Sequence, residues 1–289
     1  MFAQLVVSGI GQGSIYALVA LGMTILFRVT TIVNFAHGEL FMFSAFIIYL
    51  LLNVFGVPYV VAALGAILAL FLLGSVVERL LMRPIMQAPH MALAMMTVAL
   101  SYMLRGVVRM VWGGDVRSLP PMFTFDPLMF GDVVLAAQDI VTIGATLVLV
   151  AVFFVLLQKS RLGKLAQAVT DSPRGGALIG LNVPAFYRTM WGVASAMAAI
   201  AGILVAPVTL LYPDMGAGVL VHAFAAMTLG GFGNLGGAVA GGLLMGVLEQ
   251  LAGGYVSTAM VDITSYIIII AVLLCRPAGL FGRVERVRV

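Results

Sequence analysis

The chain has 289 residues, 63% of them hydrophobic and only 9% charged, with a net charge of +4 and a mean hydropathy of +1.17. A soluble domain carries about a quarter charged residues, so this composition cannot cover a water-facing surface. The modest positive balance is no mark of nucleic-acid binding, and the single cysteine, Cys275, excludes an intrachain disulfide and a cysteine-based metal cluster.

Apolar runs recur along the whole length. A bilayer core takes about 20 apolar residues as helix, and runs of that kind fall at 2–27, 38–55, 58–82, 91–112, 139–157, 190–211 and 262–275, with an interrupted stretch at 216–252. The start, Met1-Phe2-Ala3-Gln4-Leu5, lacks the positive region of a cleavable signal peptide, so the first run is expected to be a retained span. The expectation is an all-α polytopic membrane protein of about eight to nine transmembrane segments, in one domain over 1–289. No hydrophilic stretch is long enough for a soluble domain, and no fixed repeat or low-complexity tract is visible.

Charge sets the orientation. The 158–188 loop carries Lys159, Arg161, Lys164, Arg174 and Arg188 against Asp171, and the tail carries Arg276, Arg283, Arg286 and Arg288 against Glu285. The 113–139 stretch instead holds Asp115, Asp126, Asp132 and Asp139 against Arg117. The first two belong in the cytoplasm and the third outside, which puts the N-terminus outside, the C-terminus inside, and Arg28, Arg79 and Arg83 inside.

Parity then requires an odd number of crossings after 190–211. The run Gly230-Gly231-Phe232-Gly233-Asn234-Leu235-Gly236-Gly237 disfavours a continuous helix, since each glycine costs about 1 kcal/mol relative to alanine. Two helices near 217–229 and 237–252, folded back at this cluster, satisfy the parity. A glycine-rich kink in an unbroken helix is the alternative.

Polar groups are scarce enough to be singled out. Asn34, His37 and Glu39 sit between two apolar runs, where ionisable groups are expensive and usually purposeful. Asn34 is expected to cap a helix starting near Phe35, with Glu39 favoured by the helix dipole in its first turn; a gate or substrate contact is the competing role. Two possible ligands are too few for a metal site. Arg105 and Arg109, one helical turn apart, either snorkel to lipid headgroups or form an electropositive mouth. Thr97 and Ser101 offer hydroxyls, and Gly231, Gly233 and Asn234 mark the glycine break; all five, with Asn34, His37 and Glu39, are candidates for the translocation path or gate. Glu249 sits alone in an apolar run, its partner not legible. Runs such as 194–202 have the small-residue spacing of closely packed helices.

Four ordered blocks carry a family likeness: Val33-Asn34-Phe35-Ala36-His37-Gly38-Glu39; Ser160-Arg161-Leu162-Gly163-Lys164 with Ile179-Gly180-Leu181-Asn182-Val183; the stretch 229–242; and Arg276-Pro277-Ala278-Gly279-Leu280-Phe281-Gly282. In these the chain resembles bacterial branched-chain amino acid ABC transporter permeases of the LivH type. The resemblance implies a bacterial inner-membrane permease paired with a second, LivM-type permease, served by two cytoplasmic ATPases and a periplasmic binding protein. It implies coupling to the ATPases through 158–188, with Arg161, Leu162, Gly163, Lys164, Arg174, Leu178 and Gly180 as the contact; Arg174 to Gly180 keeps the spacing of the family's coupling element but not its residues. No G-x-x-x-x-G-K-[ST] loop is present, so no catalytic residues and no bound cofactor are expected here, with ATP and Mg at the partner subunits. Related permeases for urea, short amides or aromatic acids, and an ion-driven secondary transporter, are the rival readings. In the hairpin reading, a cysteine placed at Asn234 is expected to be unreactive toward an impermeant reagent added outside; labelling from that side alone would remove the hairpin.

Overall fold

The computed structural model describes residues 1–120, 127–130, 133–178 and 180–282; Asp126, Asp132, Ile179, Arg283, Glu285, Arg286 and Arg288 lie outside the described residues. Its axis is α1, Phe2–Thr30, which is buried along almost all of Gly13–Leu26. The antiparallel α10, Leu235–Tyr255, runs against it for its full length, from Gly254 beside Leu5 to Phe232 packed on Phe27. This pairing rests on two glycine pairs, Gly9 with Gly13 and Gly242 with Gly246. A Cβ at Gly246 would meet Gly13 N at 2.3 Å, and one at Gly242 would meet Ala17 Cα at 2.5 Å. The missing side chains let the two backbones touch, which is how helices associate where water provides no hydrophobic drive.

The other helices wrap this pair. α8, Val183–Val205, and α9, Met215–Gly230, pack on α1, and α5, Ala137–Lys159, lies outside it with Thr146 donating to Ser14 O at 3.4 Å. α2, His37–Asn53, is inserted between α8, α9 and α3, Tyr59–Val77, and α4, His90–Trp112, covers α2. α11, Met260–Cys275, closes the side formed by α9 and α10. The small-residue run of α8 is used as expected: Ser44 of α2 donates to Ala199 O at 3.2 Å, and a Cβ at Gly202 would lie 2.3 Å from Phe41 O.

Among the described residues six helices are long and apolar enough to cross a membrane, and three shorter apolar ones, α2, α9 and α11, accompany them. The glycine cluster separates two helices, as the parity requires, with the turn at Gly231–Asn234 and Asn234 capping α10 by accepting from Gly237 N–H at 3.0 Å. The turn sits at one end of the bundle, where residues 278–282 strap it: Leu280 N–H donates to Leu229 O at 2.8 Å and Asn234 Nδ2 to Phe281 O at 2.7 Å.

Two boundaries depart from the hydropathy reading. α8 begins at Val183, not 190, because Asn182 accepts from Ala185 N–H at 3.0 Å and Pro184 fits a first helical turn; Arg188 therefore belongs to a helix and not to the loop. α3 continues through a wider π turn at Glu78–Met82 and a tight turn at Arg83–Ile85, with buried Glu78 3.5 Å from Arg83. At the end opposite the glycine turn, an antiparallel ribbon of β1, Leu128–Phe130, and β2, Val133–Leu135, appears in the acidic stretch with no announcement in its composition. Gln4 of α1 holds it, donating to Val134 O at 3.0 Å and accepting from Val134 N–H at 2.8 Å.

A Gly246→Leu substitution is expected to separate α1 from α10 and lower stability by about 1–3 kcal/mol or more. Gly144→Leu, where a Cβ would meet nothing within 4 Å, should leave it unchanged. Thermal unfolding of the purified variants in detergent checks this.

Candidate functional site

After α1 the chain turns through Thr31, held at φ 56°, and re-enters the bundle as an extended segment with Ile32, Asn34 and Ala36 buried. Phe35 N–H donates to Thr97 Oγ1 of α4 at 3.2 Å, and Asn34 Oδ1 accepts from Ala36 N–H at 3.0 Å. Asn34 thus closes a turn ahead of α2; the helix itself starts at His37 without a side-chain cap. The start is deep inside. His37 is fully buried beside Gly22, where a Cβ would fall 2.7 Å from Nε2. Gly38 in turn meets Gly216 of α9 so closely that a Cβ on it would lie 2.2 Å from Gly216 O. The first turns of α2 and α9 therefore converge within the bundle, and Glu39 supplies the negative charge that such positive helix ends favour.

Glu39 opens a chain of alternating charges. Arg105 of α4 bonds Glu39 Oε1 through Nη2 and approaches Asp214 through Nη1 at 3.3 Å, and Arg109 reaches Asp214 at 2.7 Å. Of the two roles open to Arg105 and Arg109, solitary snorkelling does not describe Arg105, which is bound to a buried carboxylate. Asp214, just ahead of α9, is the member that sequence reasoning missed; the only signal was its position before a helix start. Thr97 is buried and also donates to Ala94 O at 2.8 Å, while Ser101 bonds back to Val98 O at 2.7 Å, so both hydroxyls face the bundle.

A second constellation gathers Glu249 of α10, fully buried, with His222 of α9 at 3.1 Å and Ser265 of α11 donating to it at 2.7 Å. His222 stacks on Tyr16 of α1 at 4.8 Å, and Gln12 donates to the Tyr16 hydroxyl at 3.1 Å. Three helices are joined through one carboxylate, and the His222 ring extends the contact to α1. The partners of Glu249 lie 16 and 27 residues away on other helices, which is why the sequence pattern hid them. Gly231 and Gly233, at φ 102° and 77°, and Asn234 form the strapped turn at the bundle end.

At that same end lies the cationic element. α6, Arg161–Asp171, is capped by Ser160 and followed by α7, Pro173–Leu178. Gly163, Ala166 and Val169 are buried, α6 packs on α1, and Gly163 and Ala166 line a small cavity together with Ile25, Arg28 and Val29 of α1, Met190 of α8 and Leu235 of α10. Thr170 donates to Arg28 O at 3.3 Å. Lys164 and Arg174 are exposed, Leu178 is 88% exposed, and Gly180 adopts φ 86°, which only glycine takes without strain. Arg161 and Leu162 open α6. Near the 31–32 turn a cavity of about 430 Å³ opens, lined by Thr30, Thr31, Met86, Gln87, His90 and Tyr187. Among the described residues no three His, Cys, Asp or Glu side chains gather as metal ligands.

Comparison with known proteins adds to this geometry. The family described as the branched-chain amino acid transport system, permease component, matches residues 5–273. The high-affinity branched-chain amino acid transport system permease proteins LivH of Salmonella typhimurium and of Escherichia coli K12 are each 30% identical over 98% of this chain and 96% of their own length. The corresponding BraD of Pseudomonas aeruginosa is 28% identical over 98% of this chain and 97% of its own.

The Glu249 cluster yields a stability prediction. Glu249→Leu leaves the Ser265 hydroxyl without its acceptor and removes the carboxylate beside the His222 ring, and is expected to cost about 1–3 kcal/mol. Glu249→Gln, which keeps an acceptor oxygen, should cost less than half as much, as read from thermal unfolding.

Proposed function

Since this chain belongs to the branched-chain amino acid transport system permease family, we propose that it is one permease subunit of an ATP-driven importer of branched-chain or other apolar amino acids. In this reading it spans the bacterial inner membrane with its N-terminus in the periplasm and its C-terminus, α6 and α7 in the cytoplasm. A second, LivM-type permease completes the path, two cytoplasmic ATPases bind ATP and Mg, and a periplasmic binding protein delivers the substrate.

The observation that carries this reading is the α6–α7 element. It offers Lys164, Arg174 and the bare Leu178 to a partner on one side. On the other, α6 packs on the end of α1 and α7 touches α8. A push on this element is therefore delivered to α1 through α6 and to α8 through α7. Because cores are bistable and not continuously deformable, nucleotide-driven closure of the ATPases would tilt the bundle between two access states. Substrate affinity resides mainly in the binding protein, leaving the path with a weak, transient site.

The second permease has a face to meet. α3, α5 and α11 expose Leu, Val, Ile and Phe, as lipid-facing helices do, including Leu64, Leu68 and Leu72 on α3. α4 instead exposes Met91, Met95, Ala99, Tyr102, Met103 and Met110. Flexible, small and amphipathic side chains of that kind suit protein contact or a polar path more than acyl chains. An ion-driven carrier is less well supported, since Glu39, Glu78 and Glu249 each already face an Arg or His partner.

In proteoliposomes containing both permeases and the ATPases, Leu178→Asp is expected to leave insertion and assembly intact while lowering ATP-dependent leucine uptake at least tenfold. Unchanged uptake would reject the coupling role. Uptake driven by an ion gradient without ATP, or transport of urea, amides or aromatic acids in place of leucine, would select one of the rival readings.

A further inference from the structure

We propose that Arg105, Arg109 and Asp214 form the transient site in the path where the charged head group of a free, zwitterionic α-amino acid binds; the proposal rests on the reading of the chain as an amino-acid permease and assigns its substrate contact. The three side chains link the outer half of α4 to the entry of α9, and they form a gradient of exposure. Arg109 and Asp214 have side chains 55% and 45% exposed, Arg105 is 21% exposed, and Glu39 behind it is 2% exposed. The outer pair is open to a ligand while the inner carboxylate is not. Glu39 is a positioning residue: it holds the Arg105 guanidinium from behind so that the other edge points at Asp214.

The charges match one class of ligand. Two guanidiniums present forked donors to a carboxylate, and one accessible carboxylate offers an acceptor to an ammonium. An ion pair as exposed as Arg109–Asp214 opens at little cost, so an incoming amino acid can exchange into it, its carboxylate taking Arg109 and Arg105 and its ammonium taking Asp214. Each protein charge keeps a counter-charge throughout, which is what a low-dielectric path requires. Urea and amides bring no charges to replace the pair, and an aromatic acid without an amino group would leave Asp214 facing a carboxylate. Two buried atoms, Glu39 Oε2 and Arg105 Nε, have no hydrogen-bond partner among the described residues, so the cluster retains unsatisfied donor and acceptor capacity at its inner end. The guanidinium carbon of Arg105 also lies 5.5 Å from the ring centroid of Tyr102, a 66% exposed aromatic one turn down the same helix. That ring and the neighbouring methionines give an apolar side chain a surface beside the charged site.

The test uses the complete importer in proteoliposomes with its binding protein outside, comparing wild type with Asp214→Asn, Arg109→Gln and the double variant. ATP-dependent leucine uptake and ATPase stimulation by the loaded binding protein are measured together. The expected result is assembled complexes with stimulated ATPase within about twofold of wild type, leucine uptake down at least tenfold in each single variant, and no recovery in the double. Uptake unchanged, or restored when both charges are neutralised, would show that the pair serves only itself and overturn the site alone. Failure of all three variants to assemble would equally overturn it, assigning the cluster to folding. A wild-type importer that moves urea or an amide but not leucine would overturn the amino-acid reading and the site with it.

Discussion

The contact between α1 and α10 is what the remaining architecture depends on. In a bilayer there is no gain from withdrawing apolar surface from water, so helices must associate through close fit and polar bonds. Gly9 and Gly13 against Gly242 and Gly246 provide the fit, letting backbone lie on backbone. Every other helix with a large buried face either touches this pair or touches a helix that does. The packing of α5, α8, α9 and α11 is organised by the position of the axis before it is organised by their own side chains.

The second constraint is the treatment of charge. Three carboxylates enclosed by the helices each face a partner carried on a different element: Glu39 with Arg105, Glu249 with His222 and Ser265, Glu78 with Arg83 beyond the π turn. These contacts make polar residues into joints between helices. The α2 entry is the extreme case. An extended segment, a fully buried His37 and two converging helix starts leave backbone irregularity deep in the bundle, where it is tolerated only because protein surrounds it.

Much of the fold was legible because hydropathy and length are one-dimensional signals. The apolar runs and the glycine turn demanded by parity appeared as helices or breaks near their expected places. Boundaries set by caps were less legible: α8 starts at Val183 because of one hydrogen bond from Ala185 N–H to Asn182. The pairings were not legible at all. Nothing in the neighbourhood of Glu249 names His222, and Arg105 could be recognised as a helical neighbour of Arg109 without any sign that Glu39 or Asp214 would reach them. Similarly, 33 glycines gave no ranking; only the crossing of α1 and α10 distinguishes Gly246 from Gly144. Sequence shows what an element is, whereas its contacts depend on distances that only the assembled bundle defines.

The strap formed by residues 278–282 over the turn between α9 and α10 bears on biogenesis. A chain emerging from the ribosome presents α1 well before its main partner α10, and the turn that aligns that partner is fastened by residues 278–282, which follow both. During synthesis α1 must therefore wait in the lipid with its glycine seam uncovered. The bundle cannot be locked piecemeal as each helix is inserted, and its final register is set only once residues 278–282 have followed α10 out.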